Sequence, residues 1–177
     1  DVTVTFGPAT TTLRIDGNSA ARVSVASLFQ LPATTLQTGS LRINAGPGLF
    51  GATTESLVGV LDIEGATGLV TTGARAPSTE TWFPQVAEGG GFFTGLGLAS
   101  GDRAALVTIE VYGAAGGTPR TATISLSANQ QLGRVLSQLV PSVTNQLGGY
   151  IRIRSDQPIW SSEIYGSNQV LAAGPPL

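Results

Sequence analysis

The feature that most constrains the fold of this chain is an alternation of apolar and polar residues with a period of two. In the stretch ALVTIEVYG, Val107, Ile109 and Val111 fall on one side of an extended chain, and Thr108 and Glu110 fall on the other. The same alternation recurs in TTLRIDG, SLRINAG, TATISLS and YIRIRS. Successive side chains of a strand point to opposite faces, so the pattern is typical of short, half-buried antiparallel strands. The sequence therefore predicts an all-β chain of Ig-like antiparallel sandwiches.

Two segments depart from this alternation. The stretches RVSVASLFQL, residues 22–31, and QLGRVLSQLVP, residues 131–141, place apolar residues at roughly helical spacing. Each is predicted to be a short helix or a turn that crosses the end of a sandwich.

The chain also contains an internal repeat. Three pairs of segments align: 13–29 with 124–140, 39–44 with 149–154, and 64–73 with 165–174. The separation between aligned residues drifts between about 101 and 111, which insertions in surface loops explain. One supersecondary unit is therefore predicted to occur twice, as a partial repeat in residues 1–76 and a complete repeat in residues 77–177.

The two predicted copies are unequal. The second copy has the segment WFPQVAEGGGFFTGLGLAS ahead of the strand ALVTIEVYG, whereas the first copy begins at VTVTFG, the equivalent of that later strand. We therefore expect the first sandwich to lack its two leading strands. A sandwich without two strands leaves unpaired backbone groups and uncovered apolar side chains.

This deficit predicts an interface. The predicted subunit-interface residues are Val2, Val4, Phe6, Leu13, Ile15, Trp82 and Phe83. The missing strands would be supplied by the second copy in the same chain, by a preceding repeat, or by a neighbouring molecule. In the last case, β-strand addition would join subunits head to tail into a homopolymeric filament.

Three consecutive glycines, Gly89 to Gly91, raise the question of a phosphate-binding loop. A Walker loop needs Gly-Lys-Ser/Thr at the start of a helix, and a dinucleotide fingerprint needs Gly-x-Gly-x-x-Gly between strand and helix. The chain has no Lys, and FFTGLGLAS continues as an alternating strand. The glycines are therefore predicted to form a hairpin connection, where they adopt positive φ without steric cost.

Composition narrows the possible functions. The chain has no His, Cys or Met, which removes the side chains that do most acid–base, nucleophilic and soft-metal chemistry near neutral pH. Its nine cations are Arg residues scattered singly and the net charge is −2, so the clustered cations that nucleic-acid binding needs are missing. We expect a non-enzymatic protein without a cofactor and without a nucleic-acid partner.

Candidate sites built from carboxylates compete with ordinary structural roles. Asp16-Gly17-Asn18 and Asp62-Ile63-Glu64 offer oxygen ligands to calcium, but the first is a common turn sequence and no EF-hand spacing is present. Asp156 and Glu163 resemble a glycosidase pair only by residue type. Nearby Arg152 and Arg154 favour cross-strand ion pairs instead. We therefore predict neither a metal site nor a catalytic site.

Aromatic residues offer an alternative function, the binding of cell-surface glycans. Such a stacking platform would draw on Trp82, Phe83, Phe92, Phe93, Trp160 and Tyr165. Aromatic residues near sandwich strands are more often part of the core and edge packing, because alternation buries about half of them. The glycan-binding or adhesion module therefore stays the second hypothesis.

The order of motifs in the second copy resembles a family. An aromatic-Phe-Pro segment, Gly-Gly-Gly-Phe, VTIEVYG, ATISLSANQ, GGYIRIRSDQPI and a strand that ends in Tyr-Gly are similar to tandem β-sandwich repeats of large secreted and cell-surface bacterial proteins. The resemblance implies a passive role as a spacer, stalk, adhesion or matrix module. We expect an exported, extracellular chain. The sequence contains no run of 18 apolar residues, so it predicts no transmembrane helix.

Overall fold

The computed structural model describes residues 1–16, 19–32, 41–45, 60–65, 68–73 and 75–174. Strands dominate these residues, and every strand pairing in them is antiparallel. The predicted all-β fold is therefore confirmed. The chain divides into two compact units, Asp1–Gly59 and Val60–Leu177. The predicted boundary between residues 76 and 77 concerns the sequence repeat and stays a prediction.

The first unit contains a three-stranded sheet. Its elements are β1 (Val2–Phe6), β2 (Ala9–Leu13), α1 (Val25–Leu28) and β3 (Leu41–Ala45). The strand order is β2-β1-β3, and Val4 of β1 lies opposite Thr11 of β2 and Ile43 of β3. Val2 and Val4 are buried, as the alternation in VTVTF predicts.

The second unit holds the remaining elements. They are β4 (Val60–Gly65), β5 (Gly68–Gly73), β6 (Ser78–Phe83), β7 (Ala87–Glu88), β8 (Phe92–Ser100), β9 (Ala105–Gly113), β10 (Gly116–Leu126), β11 (Gln131–Val135), α2 (Leu136–Leu139), β12 (Gln146–Leu147), β13 (Tyr150–Ser167) and β14 (Leu171–Gly174). Strands β4 and β5 form a hairpin, and β7 pairs with β12.

The long strand β13 belongs to two layers. Its first part pairs with β9 on one side and β6 on the other, and its last part pairs with β8 and β14. Strand β10 extends the first layer beyond β9, and β11 extends the second beyond β8. The resulting strand orders are β10-β9-β13-β6 and β14-β13-β8-β11. The register between β13 and β6 shifts between Arg154 and Ile159, a stretch in which Pro158 has no N–H to offer a ladder.

The core of the second unit lies between these two layers. It draws apolar side chains from the strands of both layers and from the α2 region. The largest fully buried side chains include Phe83, Leu96, Ile109, Leu126, Leu136, Ile151, Ile153 and Ile159. Two antiparallel layers with a shared apolar interior make this part of the chain sandwich-like.

The three glycines form the predicted hairpin connection. Gly89 and Phe92 exchange backbone hydrogen bonds of 3.0 and 3.1 Å, and Gly90 and Gly91 lie between them with φ of +63° and +89°. Positive φ at both central residues is the requirement of a two-residue type I′ turn. The prediction of a hairpin rather than a phosphate loop is confirmed.

Both predicted short helices are present. They are α1 and α2, each of four residues, within the two segments of helical spacing. Residues 131–135 of the second segment instead form β11, which pairs with β8. The helical period therefore held only over the last part of that segment, where Leu136 and Val140 enter the core.

The two units can be compared through the pairing of three strands in each of them. In the first unit Val4 lies between Thr11 and Ile43, and in the second unit Ile109 lies between Ala122 and Ile153. The sheet β2-β1-β3 thus has the same order and equivalent register as β10-β9-β13. Ile43 and Ile153 occupy equivalent positions, yet Ile153 is 1% exposed and Ile43 is 36% exposed.

This difference predicts unequal effects of one substitution. We expect Ile153→Ala to lower the free energy of unfolding of its unit by about 2–5 kcal/mol, because it opens a cavity in a packed core. Ile43→Ala should cost only about 1–2 kcal/mol in the isolated chain, since about a third of that residue is already in water. Amide hydrogen exchange, resolved for the strands of each unit, measures both values. Equal losses at the two positions would contradict this assignment of burial.

Candidate functional site

Strand β6 pairs with β13 along one edge of the first layer of the second unit. The strands run antiparallel, with Phe83 opposite Ile151, Trp82 opposite Arg152, and Glu80 opposite Arg154. Phe83 is fully buried in the core and Thr81 is largely buried. One face of β6 therefore closes the interior, while the other face carries Glu80 and Trp82.

On the outer face, Glu80 binds Arg152 through two hydrogen bonds. Arg152 Nε and Nη2 donate to Glu80 Oε1 and Oε2 at 3.2 and 3.0 Å, and Trp82 Nε1 donates to Oε1 at 2.8 Å. The hydrogen bonds from Arg152, and then from Trp82, hold the pKa of the Glu80 carboxyl below its usual range. The guanidinium of Arg152 also lies 5.0 Å from the Trp82 ring centroid, within the range of a cation–π interaction.

The same face continues across β9. Arg154 Nη2 donates to Glu110 Oε1 at 2.7 Å, and Arg152 Nη1 lies 3.5 Å from Glu110 Oε2. Glu110 is buried, and the two Arg residues compensate its charge. Arg152 and Arg154 thus form cross-strand ion pairs, but with Glu80 of β6 and Glu110 of β9 rather than with Asp156 or Glu163.

Aromatic rings also lie on this face, and they pack against one another. The rings of Tyr112 and Tyr150 stack with centroids 4.6 Å apart, and Trp82 lies 5.7 Å from Tyr150. Arg152 covers the Trp82 ring. Since a sugar stacks on a free ring face, the intramolecular contacts compete with that use of the surface.

The six aromatic residues considered for a glycan platform do not share one surface. Phe83 lies in the core, and Trp82 lies on the outer face of the layer that contains β6. Four others, Phe92, Phe93, Trp160 and Tyr165, lie on β8 and β13 in the second layer. Alternation along β8 and β13 puts them on both sides of that layer.

The two carboxylates considered for glycoside hydrolysis are far apart along β13. Asp156 is exposed, and its Oδ1 accepts a hydrogen bond from the backbone N–H of Leu106 at 2.7 Å. Glu163 is buried seven residues later, in the part of β13 that pairs with β8 and β14. One carboxyl is thus exposed and the other enclosed, whereas a glycosidase pair needs both carboxyls to face the same substrate.

The calcium candidates are only partly described. Asp16 binds Arg14 at 3.2 Å, and its carbonyl accepts a hydrogen bond from the N–H of Ser19, as in a turn. Gly17 and Asn18, and the side chains of Asp62 and Glu64, lie outside the described part. Within the described ranges, no three acidic side chains are placed to hold a metal ion.

A small cleft of about 160 Å³ lies beside the start of β6. Its lining includes Arg75, Ser78, Thr81, Ile159 and Ser161. Drug-sized ligands occupy pockets of about 300–1,000 Å³, so this cleft is smaller than a typical binding site.

Glu163 is the most unusual residue of the second unit. Its side chain is 2% exposed and lies between Leu96 of β8 and Gly174 of β14. A side chain at position 174 would collide with the Glu163 carboxyl, and neither carboxylate oxygen has a hydrogen-bond partner among the described residues. Burial raises the pKa of Glu163 to about 8. Glu163 lies four residues after the buried Ile159 and therefore on the same face of β13, which is the sequence signal for its burial.

The predicted interface residues lie in different surroundings. Val2 and Val4 are buried, and Phe6, Leu13 and Ile15 are half-buried, with Phe6 5.8 Å from the Phe29 ring. Trp82 is half-buried and belongs to the outer face of β6, while Phe83 has no exposed surface, so a direct contact of Phe83 with another subunit needs β6 to leave β13. The sequence reasoning missed Ile43, although its alternation with Leu41 was visible in SLRINAG.

One edge distinguishes the sheet β2-β1-β3 from the sheet β10-β9-β13. In the second unit the first part of β13 is paired on both sides, by β9 and β6. Among the described residues of the first unit, β3 pairs with β1 alone. Among the described residues, the outer edges of β2 and β10 are both unpaired and correspond to each other, so the edge without a counterpart is that of β3.

Comparison with known proteins gives little beyond this. No protein-family model and no curated protein matches the chain. A crystal structure of a protein from Thermotoga maritima, described as Thermotoga maritima 1070, is similar to the chain with a TM-score of 0.45 and 17% identity. The match covers 56% of this chain and 94% of that one, a level of similarity that carries no argument about fold or function. In the described segments, no helix has the length and apolar character to cross a membrane.

The buried carboxyl predicts a fall in stability with rising pH. The pKa of Glu163 is about 8 in the folded chain and about 4.5 in the unfolded chain. The contribution of neutral Glu163 to stability is therefore fully present below about pH 4.5. Stability is lost progressively from there to about pH 8, by at most about 1.4 kcal/mol per pH unit. Urea unfolding between pH 5 and pH 9 measures the slope.

The Glu163→Gln variant should show a flatter dependence of unfolding free energy on pH than the wild-type chain. Asp156→Asn is the matched control, because that carboxyl is exposed, and it should keep the wild-type slope. The same slope in Glu163→Gln as in the wild-type chain would show that Glu163 is not the buried titrating group.

Proposed function

We propose that this chain is a non-enzymatic structural module of an extracellular or cell-surface protein, which assembles head to tail by β-strand complementation. One observation carries the proposal. The sheet β2-β1-β3 repeats the pairing of β10-β9-β13, but among the described residues it has no strand at the position that β6 occupies on β13. A strand from a neighbouring molecule would complete it.

The exposed side chain at this edge supports the proposal energetically. Ile43 is 36% exposed, whereas the equivalent Ile153, beside β6, is 1% exposed. An added strand would bury apolar surface, which stabilises by about 25 cal/mol per Å², and would form hydrogen bonds with the backbone groups of the edge. Both gains depend on association, so they favour an assembled state over an isolated chain.

The amino-acid composition supports a passive role outside the cell. A chain without His, Cys, Met or Lys resists thiol exchange and Met oxidation. The alternative of a glycan-binding or adhesion module has less support, because Tyr112 and Tyr150 stack on each other, Trp82 lies against Tyr150, and Arg152 covers the Trp82 ring.

The proposal predicts self-association without an added ligand. The purified chain should form oligomers whose mean mass rises with protein concentration, because a head-to-tail contact does not close on itself. Analytical ultracentrifugation measures the mass distribution, and negative-stain electron microscopy shows whether the oligomers are linear. A monomer at every concentration, stabilised against heat only when a polysaccharide is added, would contradict assembly and favour the glycan-binding alternative.

A further inference from the structure

We propose that the acceptor site is the edge of β3 that has no partner strand among the described residues, and that its ligand is an extended segment with the chemistry of β6, carried by a neighbouring molecule. This inference rests on the proposed function and names its partner. The structure contains the template for the complex, because β6 itself occupies the equivalent edge of β13 in the second unit.

The register of the template fixes the register of the ligand. On β13, Phe83, Trp82, Thr81 and Glu80 of β6 lie opposite Ile151, Arg152, Ile153 and Arg154. The repeat puts Leu41, Arg42, Ile43 and Asn44 of β3 at those four positions. An antiparallel ligand would therefore place its Phe-like residue opposite Leu41 and its Thr-like residue opposite Ile43.

The ligand needs an apolar residue at the inward position that corresponds to Phe83 and a small residue at the inward position that corresponds to Thr81. In the template Phe83 is fully buried over the core and Thr81 is largely buried. On β3 the matching positions, Leu41 and Ile43, supply apolar surface, and Ile43 is exposed. Alternate side chains seated in this way give specificity, while backbone hydrogen bonds along the edge give affinity.

The outward side of the ligand should carry a carboxylate two residues before an aromatic ring. In the template Glu80 takes two hydrogen bonds from Arg152, and Trp82 lies under the same guanidinium. Arg42 occupies the position of Arg152 in the first unit and already has an interaction partner there, so a carboxylate of the ligand would share or replace that partner. A bidentate pair with an Arg is sensitive to geometry, so it would select this register over one shifted along the strand.

A synthetic peptide of residues 77–84, PSTETWFP, is the direct probe. The equivalent edge of β13 is already occupied by a tethered strand at high effective concentration, so the free peptide should bind β3 first. We expect about tenfold or greater slowing of amide exchange within residues 41–45 at saturating peptide. A peptide with Asp at the position of Phe83 is the matched control and should give no slowing.

Two outcomes would overturn the inference: unchanged exchange in residues 41–45, or slowing confined to residues 150–154. The Ile43→Asp variant provides a second test, since it places a charge at the centre of the acceptor edge and should abolish peptide binding. Leu106→Asp is its control, because Leu106 is an exposed apolar residue on β9. Exchange along β1 and β2 shows whether Ile43→Asp keeps its sheet.

The inference and the proposed function can fail separately. Linear oligomers without protection of residues 41–45 would keep the assembly and overturn β3 as its acceptor. Peptide binding at β3 by a chain that stays monomeric would keep the acceptor site and overturn self-assembly. In that case the neighbouring segment belongs to a different molecule.

Discussion

The pairing of β13 is the constraint on which the rest of the second unit depends. This strand supplies backbone partners to β6, β8, β9 and β14, so it lies in both layers of the sandwich-like body. It can do so because the ladder with β6 shifts register between Arg154 and Ile159. The interruption lets one strand leave the first layer and enter the second, which brings Ile151, Ile153 and Ile159 into one core.

Two of the buried glutamates of this unit, Glu110 and Glu163, show two different solutions to the burial of an acid. Glu110 remains beside two guanidinium groups, so its charge is compensated at distances of 2.7 and 3.5 Å. Glu163 has no such partner among the described residues, and the rise in its pKa makes the neutral acid the favoured form in the folded state. The first arrangement stabilises the outer face of a sheet, whereas the second makes the interior sensitive to pH.

Local pattern predicted the strands well, because burial of one face imposes a period of two on the residues themselves. It identified the strand around Val107, Ile109 and Val111, and it recognised the hairpin at Gly90 and Gly91. It could not predict that β13 crosses two layers, since that depends on which distant strands pair with it. For the same reason, the sequence indicates that Arg152 and Arg154 form cross-strand pairs but does not indicate that their partners lie on β6 and β9.

The edges of the two sheets differ in how well they resist pairing. Strand β10 carries Pro119 within an irregular stretch of its ladder, β6 is bounded by Pro77 and Pro84, and β11 contains Gly133 beside the exposed Arg134. Proline, bulges and charge are the usual means by which proteins block an open edge. Strand β3, from Leu41 to Ala45, carries one charged residue, Arg42, but contains no proline or glycine and no irregularity in its pairing with β1. An edge that keeps the features of a paired strand is better suited to receive a strand than to exclude one.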